Sequence, residues 1–347
     1  MRLLVLGGTE FAGRAVVEAA LERGWDVTVF NRGRHESPAG ARALRGDRIS
    51  PDGLTALAEG EWDAVVDTWS AAPRPARHAA RLLRGRAGRY VYVSSRSVYE
   101  WAPPAGYGED APVVQGAEAG AGQTDYARDK RGGELAAIEE FGADRSVLVR
   151  AGLILGPYEN VGRLPWWLDR MARGGPVLAP GPRDLPLQYV DVRDHAEWIL
   201  GAVEQELSGP YNLTSRQGHA TMGELLDACV ATVGGSAELR WTDPEVILDA
   251  GIEPWTQLPV WVPPGSDMHD ALHSCDVSLA LATGLRCRPV TETVADTWRW
   301  LQDIGGTAPE RPNRTTKGLD PEVEAKVLAA SAEGVPGTTP RPCGQTQ

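Results

Sequence analysis

The N-terminal half of this chain alternates short apolar runs with helical patterns, and this alternation restricts the fold more than any other feature. The apolar runs lie at 2–6, 26–30, 64–67, 90–94 and 146–150. Their length and composition are typical of strands that are covered on both faces. The helical segment 15–23 is followed by Gly24, which suits the left-handed position after a helix end. The pattern predicts an α/β fold with a doubly wound parallel sheet.

The alternation also predicts how the chain divides into domains. It stops after residue 157 in Gly- and Pro-rich turns and returns at 187–204. We therefore predict that 1–157 plus 186–205 form the doubly wound domain. The smaller C-terminal lobe is predicted over 158–185 plus 206–304. The polar, Pro- and Thr-rich segment 305–347 predicts a flexible tail with one short helix after Asp320.

Composition argues against several classes of function. The formal net charge of −12 disfavours nucleic acid as a partner, because phosphate binding requires a positive field. The sequence lacks a run of about eighteen apolar residues, so we expect no membrane-spanning helix. The four cysteines and six histidines show no metal-ligand spacing. We therefore expect no metal site and a reducing, cytoplasmic location.

Residues 3–13 read LLVLGGTEFAG, an apolar run followed by a glycine-containing turn and a helix. The N–H groups at a helix N-terminus hold a pyrophosphate, and glycines let the backbone approach it. The segment therefore predicts a Rossmann-type dinucleotide site, with a plain tight turn as the alternative. Glu10 stands where the usual fingerprint has its middle glycine, which is unfavourable unless the carboxylate points to solvent. The candidate cofactor residues of this turn are Gly7, Gly8, Thr9, Phe11 and Gly13.

The second apolar run ends at Asn31, where an acidic residue would bind the ribose hydroxyls of NAD. Arg32 and Arg34 follow, and a guanidinium can bind a 2′-phosphate through two hydrogen bonds. We therefore favour NADP(H) as the cofactor and keep NAD(H) open; alternatively both arginines are solvated surface charges. Asp47 is a candidate for contacting the adenine amino group, or else it only caps a turn.

Tyr126 and Lys130 form a YxxxK pattern, and they share one helix face if Thr124 or Asp125 caps the helix. A nearby ammonium stabilises a tyrosinate, which makes Tyr126 usable as an acid or base near neutral pH. The chain has three lysines, and Lys130 is the only one before residue 317. A role that needs a compact ammonium rather than a planar guanidinium accounts for this exception. The alternative is a simple pair on a helix surface.

Ser94, Ser95 and Arg96 follow the apolar run YVYV. A serine at the carboxyl end of a central parallel strand lies where α/β sheets bind ligands. Its hydroxyl can hydrogen-bond a substrate oxygen, whereas an isolated serine commonly only satisfies a turn.

Together these motifs resemble the extended short-chain dehydrogenase/reductase superfamily, in its NAD-dependent epimerase/dehydratase family. The matching stretches are GGTEFAG, SSRSVY, YARDK, VRAGLILGP, LQYVDVRDHA and PYNL, in family order over residues 1–301. The GGTxFxG loop is similar to that of a subgroup without the middle glycine. The resemblance selects Ser95 rather than Ser94 and implies a catalytic triad of Ser95, Tyr126 and Lys130.

The resemblance implies an NAD(P)-dependent oxidoreductase that acts on a carbonyl or secondary alcohol of a small metabolite or sugar-like natural product. Tyr126 would transfer the proton, Lys130 would lower the tyrosine pKa and bind the nicotinamide ribose, and Ser95 would orient the substrate oxygen. Arg96 after the serine disfavours a dehydratase, although Asp125 keeps that reaction open.

Two further functions stay open at this point. They are a nucleotide-sugar epimerase and a catalytically silent cofactor-binding sensor, for which the atypical glycine turn argues. The expected partners are a small-molecule substrate and a second copy in a homodimer, with no nucleic acid and no membrane. Arg163 is a candidate for contacting an anionic group of the substrate.

Overall fold

The computed structural model describes residues 1–118, 120–311 and 317–333. Its strands are short, and most of those in the N-terminal half are buried along their length. In chain order they are β1 (Arg2–Leu6), β2 (Asp26–Asn31), β3 (Arg42–Arg45), β4 (Trp62–Asp67), β5 (Ala87–Ser95), β6 (Ser146–Ala151), β7 (Leu153–Leu155), β8 (Gly175–Pro180), β9 (Pro186–Leu187), β10 (Tyr189–Asp191), β11 (Gly209–Leu213), β12 (Ala220–Thr221) and β13 (Ala237–Thr242).

The helices begin and end at residues whose side chains or backbone suit these positions. Thr221 and Glu224 form a capping box at the start of the sixth helix, and Gly234 follows its end in the left-handed conformation. In chain order the helices are α1 (Phe11–Glu22), α2 (Pro73–Leu83), α3 (Tyr126–Phe141), α4 (Leu164–Ala172), α5 (Val192–Glu204), α6 (Met222–Val233), α7 (Pro244–Asp249), α8 (Asp267–His273), α9 (Ser278–Ala282), α10 (Val290–Asp303) and α11 (Pro321–Glu333).

Seven parallel strands form the main sheet in the order β11-β6-β5-β4-β1-β2-β3. The strand order reverses between β1 and β4, and ligands of open α/β sheets bind at such a switch point. Apolar side chains of α1 and α5 cover one face of the sheet, and those of α2 and α3 cover the other. The sheet confirms the predicted Rossmann-type α/β fold.

The strand β11 corrects one predicted domain boundary. The prediction placed 206–304 in the C-terminal lobe, yet β11 pairs in parallel with β6 at the edge of the main sheet. Its sequence, GPYNL, starts with two residues that are poor strand formers, so its membership in the sheet depends on long-range pairing with β6. Residues 209–213 therefore belong with the doubly wound domain.

The smaller lobe has its own apolar core around the parallel pair β8 and β13. Side chains from α4, α6 and α10 fill this core, including the fully buried Trp167. Trp261, in the loop before α8, is also fully buried, and its indole donates a hydrogen bond to the Gly181 carbonyl oxygen at 2.9 Å. These two tryptophans therefore belong to the core of the smaller lobe.

The short helix expected in 305–347 is α11, and it packs on the smaller lobe. Its Glu324 is buried, accepts from Arg170 Nε at 2.8 Å and accepts from the Leu178 backbone N–H at 3.0 Å. Leu319 and Val327 join the lobe core. The structure thus differs from the flexible-tail prediction over 317–333, whereas 312–316 and 334–347 lie outside the described residues. In the described ranges the structure contains no helix with the length and apolarity to cross a membrane.

Candidate active site

Ser95 and Tyr126 meet at the carboxyl edge of the main sheet. Ser95 is the last residue of β5, and its hydroxyl accepts a hydrogen bond from the Ser97 backbone N–H at 3.1 Å. Tyr126 is the first residue of α3, because the Asp125 side chain caps the helix by accepting from the Arg128 backbone N–H at 3.0 Å. The Ser95 side chain lies close enough to the Tyr126 phenol to lower the pKa of that phenol. Sequence reasoning placed both residues, and the fold brings them together.

Lys130 lies one turn along α3 from Tyr126 and is almost completely buried, at 3% exposure. Its ammonium donates to the carbonyl oxygens of Trp69 at 2.7 Å and Val93 at 2.6 Å. An ammonium has three donors, so these two bonds leave one for a ligand in the cleft. Burial lowers the pKa of Lys130 to about 7, against the raising effect of nearby carboxylates.

The environment of Tyr126 is a cleft with positive charge at its edge. Tyr126 is about half exposed, at 51%. Partial burial raises the pKa of its phenol, while the Ser95 side chain and the positive charges of Arg163 and Arg311 lower it. The Arg163 guanidinium lies over the Trp255 ring at 5.2 Å, and its buried Nε has no hydrogen-bond partner among the described residues. The phenol therefore keeps its proton at neutral pH and faces a cationic edge.

The turn between β1 and α1 matches the predicted phosphate cradle. Gly7 adopts φ +118°, and an added Cβ there would collide with the Thr68 hydroxyl. A Cβ on Gly13 would lie 2.7 Å from the Gly8 backbone nitrogen, closer than real Cβ atoms approach. No side chain caps the start of α1, so the first N–H groups of the helix are available to an anion. These features fit the pyrophosphate of a dinucleotide.

Two predicted residues of this turn have different surroundings. Thr9 is half-buried in the turn itself. Phe11 has φ +36°, and its side chain is buried, at 5% exposure, among the apolar residues between α1 and the sheet. Only the backbone of Phe11 is placed at the helix start, so its predicted contact with a cofactor is limited to the N–H group.

Glu10, which stands where the usual fingerprint has its middle glycine, contacts residues outside the phosphate turn. Its carboxylate accepts a hydrogen bond from Asn160 Nδ2 at 3.1 Å and lies 3.8 Å from His35 Nε2. The Asn160 carbonyl oxygen in turn accepts from the backbone N–H of Arg311 at 3.1 Å. Glu10 thus joins the phosphate turn to the segment that carries Arg311, and this accounts for a carboxylate beside the turn.

The other end of the predicted cofactor site is a cationic cavity of about 440 Å³. Its lining residues are Arg32, Arg34, Arg45, Gly46 and Asp47. Within this group, sequence reasoning missed Arg45. Asp47 accepts from the Ile49 backbone N–H at 3.2 Å, so it caps a turn and also lines the cavity.

Asn31 precedes this cavity in the chain and holds the loop that leads into it. Its side-chain oxygen accepts from the Gly33 backbone N–H at 2.6 Å, and its Nδ2 donates to the Ser37 hydroxyl at 3.3 Å. The three arginines carry enough positive charge to bind a 2′-phosphate.

A buried ion pair beside Lys130 was also missed. Asp67, the last residue of β4, is fully buried and accepts from Arg48 at 2.6 and 2.8 Å. Burial alone would raise the pKa of Asp67, but the Arg48 guanidinium holds it below the usual range. The signal was present in the sequence, because a carboxylate that ends an apolar strand requires a partner. Nothing in the sequence pointed to Arg311, which the chain fold brings to the cleft.

A parallel sheet with a glycine turn at its switch point and a Ser, Tyr and Lys set beside it defines a class of dinucleotide-dependent α/β proteins. The family model described as the NAD dependent epimerase/dehydratase family matches residues 3–214. The chain belongs to this family.

Two curated proteins with similar sequences have different activities. The chain is 33% identical over 189 residues to a 2′-dehydrokanamycin reductase of Streptomyces kanamyceticus, covering 51% of each protein. It is 27% identical over 235 residues to a dTDP-glucose 4,6-dehydratase of Streptomyces niveus, covering 57% of this chain and 68% of that protein. The chain thus spans about half the length of the reductase that it matches.

Solved structures share the fold. The Bordetella bronchiseptica enzyme WbmH, solved with NAD+, gives a TM-score of 0.62 at 18% identity over 88% of this chain and 99% of that chain. The UDP-glucuronic acid 4-epimerase of Bacillus cereus, solved with NAD, gives a TM-score of 0.62 at 16% identity over 89% and 99%. At these identities the likeness concerns the fold alone.

Proposed function

We propose that the chain is an NADP(H)-dependent reductase, equally able to run as a dehydrogenase, for a carbonyl or secondary alcohol of a sugar-like natural product. The observation that carries this proposal is the placement of Ser95 at the end of β5 next to Tyr126, with the buried Lys130 one turn further along α3. A phenol, a hydroxyl and an ammonium in one cleft can bind a carbonyl oxygen and deliver a proton to it.

In the reductive direction, Ser95 donates a hydrogen bond to the substrate carbonyl oxygen and holds it beside the Tyr126 phenol. Tyr126 passes its proton to that oxygen as the carbonyl becomes an alcohol. Lys130, fixed by two backbone carbonyl oxygens, stabilises the tyrosinate that remains and offers its third donor to the cofactor ribose. A bound nicotinamide supplies the hydride chemistry.

The turn between β1 and α1 and the cationic cavity supply the residues that would bind the cofactor. Gly7, Gly8, Gly13 and the backbone of Thr9 and Phe11 would hold the pyrophosphate at the start of α1. Arg32, Arg34 and Arg45 would bind the 2′-phosphate, and this supports NADP(H) over NAD(H). The NAD found in the WbmH and Bacillus cereus structures keeps NAD(H) as the alternative.

A nucleotide-sugar epimerase is the second candidate, and Arg163 is the observation that favours it. Its unpartnered Nε and the nearby Arg311 give the cleft a cationic edge beside Tyr126. A diphosphate or carboxylate on the substrate would satisfy both guanidinium groups.

The test uses the full chain with two measurements. The nucleotide released on denaturation is identified first, and then NADPH oxidation is followed with neutral, anionic and amino-substituted keto sugars. Exchangeable NADPH with turnover of a keto sugar supports the reductase. Tightly retained NAD with C4 inversion of a nucleotide sugar would support the epimerase instead. Strong cofactor binding without turnover of either substrate set would contradict both and identify a sensor.

The location and assembly of the protein stay predictions. We propose a cytoplasmic homodimer, on the basis of the cysteine pattern and the family resemblance given above. Light scattering of the purified full chain tests the dimer, and a monomer mass at micromolar concentration would contradict it.

A further inference from the structure

The buried pair of Asp67 and Arg48 lies next to the Lys130 side chain and has more partners than an ordinary ion pair. The Asp67 carboxylate accepts two bonds from Arg48 and a third from the Tyr90 hydroxyl at 2.6 Å. Arg48 also donates to the Pro75 carbonyl oxygen at 3.2 Å. Burying two charges costs solvation, so a pair with this many partners is fixed in place.

Trp69 links this pair to Lys130. Its backbone N–H donates to Asp67 at 3.0 Å, and its carbonyl oxygen accepts from the Lys130 ammonium at 2.7 Å. The Arg48 guanidinium lies 4.9 Å from the Trp69 ring centre, and the Tyr92 hydroxyl donates to the same carbonyl oxygen at 3.1 Å. The position of this acceptor therefore depends on Asp67.

The charges around Lys130 single out Asp67 as its counter-charge. From its own helix Lys130 faces Glu134, and from other elements it faces Asp67, Arg48 and Arg311. The Glu134 carboxylate is already shared between two arginines, at 3.0 Å from Arg150 and 2.7 Å from Arg131.

Among the described residues, Asp67 is paired with one arginine, Arg48. The remaining carboxylate on this part of α3 is Asp129, which accepts from the Thr124 hydroxyl at 2.7 Å and from the Thr124 backbone N–H. Of the carboxylates near Lys130, Asp67 thus combines a single cationic partner with a hydrogen-bond path to the ammonium.

We infer that Asp67 is a positioning residue for Lys130: it orders the Trp69 carbonyl that receives the ammonium and supplies the buried counter-charge. The importance of this role for turnover rests on the proposed function, in which Lys130 stabilises the Tyr126 oxyanion. The positioning itself is a property of the folded chain and is measurable without substrate.

The chain has only three lysines, so nitrogen-15-labelled lysine gives three side-chain signals, which a Lys130→Met variant assigns. The midpoint of the Lys130 titration is followed by this signal in the full chain. We expect it to fall by about one pH unit or more in Asp67→Asn, because a removed opposite charge shifts a pKa by roughly one to three units. An unchanged midpoint in folded Asp67→Asn would overturn the inference.

A matched control and a second variant keep the result unambiguous. Glu324→Gln breaks a buried arginine–carboxylate pair in the smaller lobe and should leave the Lys130 midpoint unchanged. If Asp67→Asn does not fold, Arg48→Met with Asp67→Leu removes both charges from the core, and such replacements commonly preserve folding. The midpoint should fall in this variant too, because Asp67 acts on Lys130 more strongly than Arg48 does; no fall would refute the inference.

The activity measurement separates the inference from the proposed function. If the chain is a reductase, folded Asp67→Asn should lose at least about tenfold in kcat with little change in the KM for substrate. A lowered midpoint without any enzymatic turnover in the wild type would leave Asp67 as a positioning residue and contradict only the proposed function.

Discussion

Ser95 ends strand β5 beside Tyr126, the first residue of helix α3, and its side chain lowers the pKa of the Tyr126 phenol. The two residues are thirty-one positions apart in the chain, and the fold brings the proposed acid next to the group that would orient its substrate. The chemistry of the site depends on the relation between these elements as much as on the residues themselves. The predictions below therefore test the site group by group.

Replacing Tyr126 by phenylalanine removes the proton donor and keeps the ring. We expect Tyr126→Phe to lose about 10²–10⁴-fold in kcat, the usual contribution of a general acid. Binding of NADPH, measured by calorimetry, should change less than about threefold, because the cofactor cradle lies at α1. Tyr211→Phe, which alters a phenol on β11 in the main sheet, is the control and should keep wild-type turnover. Near-wild-type turnover of Tyr126→Phe would refute the proposed triad.

The rate of reduction should depend on the protonation of Lys130. Burial lowers the pKa of Lys130 to about 7, so the side chain is an ammonium below that pH and a neutral amine above it. Since the ammonium stabilises the tyrosinate, kcat/KM should fall as the pH rises through about 7. In Lys130→Met the value of kcat/KM should be low, and its decline as the pH rises through about 7 should be absent. If kcat/KM of the variant still declined through the same pH range, the titration would belong to another group.

The cationic cavity predicts the choice of cofactor. Arg32→Ser combined with Arg34→Ser should raise the Kd for NADPH by at least about tenfold, equivalent to about 1.4 kcal/mol. The Kd for NADH should stay nearly constant, because NADH lacks the 2′-phosphate that these arginines would contact. Arg74→Ser, at an exposed position on α2, is the matched control. Equal weakening for both cofactors would show that the arginines do not recognise the 2′-phosphate.

The phosphate turn is testable with a single added methyl group. Gly13→Ala places a Cβ 2.7 Å from the Gly8 backbone nitrogen, so the turn must shift. We expect at least about tenfold weaker binding of either dinucleotide, since its pyrophosphate is held by the backbone of this turn. Gly85→Ala is the control, because its Cβ would meet nothing within 4 Å. Unchanged binding by Gly13→Ala would place the cofactor elsewhere.

The sequence allowed the main sheet to be predicted because each central strand is a short apolar run between turn and helix signals. It did not allow β11 to be placed, since GPYNL is a weak strand on its own and is held by β6. The docking of α11 was missed for a similar reason: its contact depends on Glu324 meeting Arg170, 154 positions away in the chain. Local patterns define elements, and partners from distant segments decide where weak elements pack.

In the candidate site, too, local patterns predicted some residues and missed those that depend on contacts between distant segments. Tyr126 and Lys130 were predictable from helical spacing and lysine scarcity, and Ser95 from its place after an apolar strand. The Asp67–Arg48 pair was not, although the carboxylate at the end of β4 signalled that a partner must exist. Pairing requires the segment after β3 to reach the end of β4, which β2 and β1 separate from β3 in the sheet, and no local pattern encodes this. Arg311 reaches the cleft only because the chain returns there after α10.

His195 on α5 gives the protein a predictable sensitivity to acid. Its ring is fully buried, and neither nitrogen has a hydrogen-bond partner among the described residues. Burial lowers the pKa of His195 to about 4, whereas the ordinary value is 6.5. Between these values the unfolded chain binds more protons than the folded one. The contribution of His195 to stability is therefore complete above about pH 6.5 and is lost as the pH falls through 4.

For the wild type, this single group should lower the free energy of unfolding by about 2 kcal/mol between pH 8 and pH 5, since one pKa unit corresponds to 1.36 kcal/mol. His195→Leu should show a correspondingly flatter dependence of urea-unfolding stability on pH, because leucine takes up no proton. His78→Gln, at an exposed position of α2, should follow the wild-type curve. If the His195→Leu curve kept the wild-type slope, the acid sensitivity would have to arise from other groups.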